Sequence, residues 1–202
     1  MAGHQAIRAV GEIVLSIMRE GCPFTALQVG PDAKFEFAFF NIVVADTPPP
    51  EGYCFCLWRV AIGGTPRPFP PRRDRRGRLF KPSLPVDLYF RLLPVASSAD
   101  KQALMLGWAP GFMTDLPVLS GETINCYTKG EPAVFAPGES VELVADPLTT
   151  ADYLALWDRV KTGFPAGMAY VARMVLIDSD QPEVQGRLVT ERDFGLRQVE
   201  TT

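Results

Sequence analysis

The sequence predicts an α+β domain built on a mixed, mostly antiparallel sheet flanked by helices. Its apolar residues recur with two periods, two residues for strands and three to four for helices. The resulting elements run helix, two strands, loop, strand, helix, strand, helix, strand. Strands and helices do not alternate regularly, which favours an α+β sheet over a Rossmann-type fold. The 202 residues fit one domain. A chain of this size buries roughly 70% of its unfolded surface and needs no disulfide or metal to fold.

The best-specified stretch is Ser83–Leu119. Leu84, Val86, Leu88, Phe90 and Leu92 share one face of a strand, while Asp87, Tyr89 and Arg91 share the other. An unbroken apolar face predicts a core strand. Ser97-Ser98-Ala99-Asp100 then offers a helix start, with serine as N-cap and Asp100 in the electropositive first turn. Leu104, Met105, Trp108 and Phe112 follow at helical spacing. Gly107, Pro110 and Gly111 predict two short helices or one bent helix.

Ahead of this unit, Gln5–Arg19 reads as an amphipathic helix with Ile7, Val10, Val14, Ile17 and Met18 on one stripe. Such a helix packs on a sheet face or on a neighbouring subunit. Phe35–Asp46 is apolar on both faces and predicts a central strand. Thr47–Gly52 holds three consecutive prolines and predicts a connection. Tyr53–Ile62 predicts a second strand, with Tyr53, Phe55 and Leu57 on one face and Trp58, Val60 and Ile62 on the other.

Behind the unit, Ser120–Ser140 is turn-rich, with room for a short strand near Ile124–Tyr127. Val141–Ala145 predicts a strand. Thr150–Val160 predicts a helix whose buried side carries Tyr153, Leu154 and Trp157. Met168–Ile177 is the last strong strand. The tail from Asp178 is polar, so Asp178, Asp180, Glu191 and Asp193 read as solvated surface. Within it, Arg187–Phe194 has the pattern of an edge strand.

Several function classes find no support. The single histidine is His4, near the terminus, which removes Ser-His and Cys-His nucleophilic arrangements and the commonest zinc and iron sites. Cys22, Cys54, Cys56 and Cys126 lack metal-ligand spacing, and Cys54 and Cys56 read as small buried apolar residues on one strand face. No phosphate-binding glycine loop or nucleophile elbow is present. The expectation is a non-enzyme with no cofactor and no metal. No apolar run reaches membrane-spanning length, and the first residues lack a secretory pattern, so the chain is expected to fold in the cytoplasm.

Charge is unevenly placed. Seven of the 20 basic residues lie between Arg67 and Lys81 (Arg67, Arg72, Arg73, Arg75, Arg76, Arg78, Lys81), with Asp74 the one acid there. The other 13 basic residues face 22 acids. This loop, Gly63–Pro82, has no periodicity and holds five of the 19 prolines. Docking to an acidic protein surface suits it best, since arginine presents a planar fork to carboxylates. A plain solvated loop comes next. Nucleic-acid phosphate contact is a distant third, because the rest of the molecule is acidic.

In order, the N-terminal helix, FNIVVAD, PVDLYFRLLPV with ADKQALMLGW, DLPVL, VELVADPLTTADYLALWDRV and GMAYVARMVLID cover most of residues 4–178. This ordered set resembles the tail-terminator, or cap, proteins of extracellular contractile injection systems, the phage-tail-like virulence-cassette and antifeeding-prophage type. The resemblance implies a tail-terminator-like domain over residues 1–178 and a C-terminal extension over 179–202. It also implies a structural protein that forms a sixfold ring, closes the inner tube and the last sheath layer, and leaves the cytoplasm as part of a released particle. Gly167, where serine is expected, and the long Pro/Arg loop depart from the pattern. A terminator or connector of a contractile phage tail is the nearest alternative, and a nucleic-acid-binding module using the loop is the alternative of another class. The second strand face, Asp87, Tyr89 and Arg91, is the expected place for subunit contacts.

Overall fold

In the computed structural model, the described residues are 3–30, 33–41, 48–63, 69–74, 76–116, 118–128, 133–146, 148–157 and 166–183, with only the backbone of 156 and 157. The alternating segment Leu84–Val95 forms β5, and its core side buries Val86, Leu88, Phe90 and Leu92. β2 (Glu51–Ile62) and β8 (Met168–Ile177) flank it, both antiparallel. Phe90 stacks between Phe55 of β2 at 4.5 Å and Tyr170 of β8 at 5.8 Å. An aromatic column therefore crosses the three central strands.

The sheet is completed by β1 (Phe35–Phe39), β6 (Val118–Ser120) and β7 (Ser140–Ala145), in the order β1-β2-β5-β8-β7-β6. Among the described strands of this sheet only β1–β2 is parallel. Among the described strands β1 lies at the edge, not at the centre. Its apolar residues are satisfied by Phe24, Tyr53 and Phe55 rather than by strands on both sides. Apolar faces report what covers a strand, not how many neighbours it has. The second half of that predicted strand, residues 42–46, lies outside the described residues.

One face of the sheet is covered by α1 (Ala6–Gly21), α2 (Ala99–Thr114) and α3 (Gly121–Tyr127). α1 buries Val10, Val14 and Met18 as its periodicity predicts. α2 is one continuous helix through Pro110. Ser98 caps it by accepting from the Lys101 amide at 3.2 Å. Its buried stripe is Lys101, Met105, Ala109 and Met113, whereas Leu104 is exposed. α3 replaces the short strand expected near Ile124–Tyr127. Ser120 caps it, and Asn125 is bonded to the backbone of Val134 and Phe135. These local side-chain bonds favour the helix over extended backbone.

Two bulges bend the sheet on either side of Asp87–Phe90. In β2 the register shifts between Leu57 and Arg59. The extra residue, Trp58, returns Val60 and Ile62 to the face of Tyr53, Phe55 and Leu57, opposite to the alternation read from sequence. In β8 the shift leaves Arg173 and Met174 without a ladder partner on β5 opposite Asp87, while Arg173 still pairs with Glu142 of β7. Met174 has a positive φ of 61°, and its amide donates to Asp87 Oδ1 at 3.2 Å.

The other face of the sheet carries a smaller cluster of Cys54, Cys56 and Leu93. Here α4 (Thr150–Trp157) sets Tyr153 over Arg91, while Leu154 is 57% exposed. Adjacent helical residues cannot both face the sheet, so Leu154 is not on the buried side. Residues 158–160 of the predicted helix lie outside the described residues.

Lys101 enters the core only with partners. Its Nζ donates to Glu51 Oε2, and Ser97 Oγ donates to Glu51 Oε1. The Lys101 bond, followed by the Ser97 bond, holds the Glu51 carboxyl below its ordinary 4.5. Stability from this pair is fully present above pH 4.5 and is lost as pH falls through the lowered folded value. Glu51→Gln is expected to cost about 1–3 kcal/mol at neutral pH and to flatten the acid limb of an unfolding-versus-pH profile. An unchanged acid limb in chemical denaturation would count against the pair.

A candidate partner-binding site

The Pro/Arg segment expected to be irregular contains a short hairpin, β3 (Arg72–Arg73) against β4 (Leu79–Phe80). Gly77, at φ 78°, and Asp74 close its turn, and Asp74 Oδ1 accepts from the Arg76 and Arg78 amides. β4 leads through Lys81–Ser83 straight into β5. Residues 181–183 run beside it, with Lys81 bonded to Gln181 O and Glu183 bonded to Leu79 O. The segment is thus an arm, a three-stranded continuation of the β2–β5–β8 ladders beyond the main sheet. Sequence periodicity missed it because each strand is two residues long.

The arm divides its basic residues into two groups. Arg72 is anchored inward: Nε lies 3.5 Å from Asp178 Oδ1, Nη2 donates to Ser179 O at 3.4 Å, and the guanidinium sits 4.9 Å over Phe80. Asp178 is buried and also accepts from Ser83 Oγ at 2.7 Å, so it is an anchor and not solvated tail. Arg78 pairs with Asp74 at 2.7 Å, and Lys81 donates to Gln181 Oε1 at 2.9 Å. Arg73 and Arg76 are exposed, and neither has an ion pair among the described residues. Arg67 and Arg75 lie outside the described residues.

The second face of β5 is more internally committed than its sequence suggests. Asp87 satisfies the bulged Met174 amide. Tyr89 is half-buried between Arg59, at 4.7 Å over its ring, and Trp58, at 5.8 Å. Arg91 is 1% exposed and lies 5.0 Å beneath the Tyr153 ring, so it presents no surface to a neighbour. Burial lowers its guanidinium below the ordinary value, opposed by its hydrogen bond with Tyr153. The reason is tertiary: α4 crosses this face and turns a surface position into an interior one.

Sequence reading also missed an exposed apolar margin. Leu57, Val60, Ile62 and Leu84 are 37%, 46%, 71% and 43% exposed. They continue the core face of the sheet beyond its helical cover. Among the described residues, no three histidine, cysteine or acidic side chains are grouped to hold a metal ion. No helix among them is long and apolar enough to cross a membrane.

Comparison with known proteins gives one family. The Pvc16 N-terminal domain matches residues 10–191. No curated protein matches the chain. A solved chain described as the PVC sheath/tube terminator of an extracellular contractile injection system, in the extended state, is similar at 12% identity and a TM-score of 0.44. The similarity covers 92% of this chain and 64% of that one, so this chain spans less than two thirds of that protein. With nearly the whole sheet and its covering helices inside the matched span, this chain belongs to the Pvc16 N-terminal domain family.

Proposed function

We propose that this protein is a structural tail terminator of a contractile injection system. Membership in the Pvc16 N-terminal domain family over residues 10–191 carries the reading. In it, copies of the chain form a ring, a hexamer, that caps the inner tube and the last sheath layer and halts their growth. Head-to-tail stacking continues until a subunit arrives with one complementary face and one that does not propagate. The chain folds in the cytoplasm and leaves as part of the released particle, with no catalytic role.

The arm supplies the docking contact, through Arg73 and Arg76 toward an acidic surface of tube or sheath. Arg67 and Arg75 belong to the same basic run and join them in the proposal. Particles from cells lacking the gene are expected to be open-ended or of irregular length in electron micrographs. Closed particles of normal length would overturn the reading. Arg73→Gln with Arg76→Gln is expected to weaken capping about tenfold or more and to reduce its salt dependence, with the fold unchanged. Equal capping at low and high salt by both proteins would remove the arm from the mechanism.

A further inference from the structure

We infer that Asp178 is a positioning residue for docking: it ties β3 to the root of the arm through Arg72 and so holds Arg73, on the opposite face, toward the partner before contact. The inference rests on the terminator reading and names the residue that readies its docking arm. Register divides the arm into two faces. Arg72 pairs with Phe80 and Arg73 with Leu79, and paired residues share a face while successive ones oppose it. Arg72 and Arg78 meet over the Phe80 ring, at 4.9 and 5.5 Å, and each has an acid, Asp178 for Arg72 and Asp74 for Arg78. Arg73 is exposed on the other face, beside Leu79. The inward direction of Arg72 therefore fixes the outward direction of Arg73.

What holds Arg72 inward lies at the root. Asp178 is buried just past the end of β8. Its Oδ1 is 3.5 Å from Arg72 Nε and accepts from Ser83 Oγ at 2.7 Å. Ser83 lies between β4 and β5, and residues 181–183, which run beside β4, follow Asp178 along the chain. One carboxylate thus joins all three strands of the arm. The ladder alone is a weak tie, since β3 and β4 are two residues each and so short a hairpin is marginal in water.

This role has a sign that charge alone does not give. Asp178 adds a negative charge to a cationic arm, so by simple attraction it opposes docking to an acidic surface. As a positioning residue it promotes docking, because an arm already ordered loses less freedom on contact than a loose one. Removing its charge therefore separates the two effects.

The test compares full-length Asp178→Asn, Arg72→Gln, the double variant and Asp180→Asn, which removes the same charge from an exposed acid nearby. Particles from cells lacking the gene are the probe, and binding is read by cosedimentation. Asp178→Asn and Arg72→Gln change the net charge in opposite directions, yet each is expected to weaken binding about tenfold, and the double variant no further. Asp180→Asn should bind as tightly as the wild type or more so. In the free protein, the Asp74, Lys81 and Glu183 amides, bonded within the arm, should exchange about tenfold faster in the first three variants, with β5 still slow. Arg72 is partly exposed, so Arg72→Gln breaks the tie even where the buried Asp178→Asn destabilises the fold. Asp178→Asn binding as tightly as Asp180→Asn, or arm amides as slow as in the wild type, would overturn the positioning role and leave the terminator reading standing. A wild type that does not bind the particles would overturn the terminator reading, and exchange in the arm would still decide whether Asp178 holds it in place.

Discussion

Phe90→Ala is expected to cost about 3–5 kcal/mol, which is a large share of the stability of a domain of this size. Phe90 is fully buried at the centre of the sheet, stacked on Phe55 at 4.5 Å and close to Tyr170 at 5.8 Å. Truncation removes its own buried area and also leaves a void between two rings on different strands. Neither strand can close that void, because β2 and β8 are each held in register by β5. The loss should appear as a lower urea midpoint with an unchanged slope. Phe90→Leu retains most of the volume and should lose clearly less. Equal losses for leucine and alanine would show that the aromatic column is not what the site requires.

Gly52→Ala is expected to release β1 from the sheet rather than unfold the whole domain. Gly52 has φ 141°, a conformation that residues with a Cβ rarely adopt. A Cβ there would lie 1.8 Å from the Glu36 carbonyl oxygen, a backbone atom of the paired strand. The chain must rotate Gly52 or move β1, and strain together with lost pairing amounts to about 3 kcal/mol or more. β1 is an edge strand, so its departure leaves β2, β5 and β8 paired. Hydrogen exchange should therefore quicken at residues 35–39 and stay slow along β5. Full protection of residues 35–39 in the variant would show that the sheet absorbs the clash.

Most elements were legible because their apolar periods run long enough to be counted. β5, α1 and β8 each repeat their pattern over ten residues or more. The Ser98 cap was readable because its partner amide lies three residues along the same chain. The ordered elements that resemble the terminator family led to the family found over residues 10–191. Reading failed where pairing inserts a residue. The bulge at Trp58 reverses the alternation of Val60 and Ile62, and no feature of Tyr53–Ile62 alone announces it. It failed again for α3, where Asn125 bonds a loop nine and ten residues away.

The candidate site was legible only in outline. A concentration of arginines is visible in any sequence, but an arginine's role depends on what lies opposite. Asp178 is more than 100 residues from Arg72, and its pairing exists only because β8 returns beside β5. Arg91 looked like a surface charge until α4 covered it. The sequence by itself determined the long elements such as α1 and β5, the apolar face of each, and where the basic charge is concentrated. Those properties depend on neighbours within a few residues. Tertiary structure alone decided the strand order, the two bulges, and the division of the arm's cations into anchored and outward. Each of these depends on a partner distant in the chain, and local patterning carries no record of it.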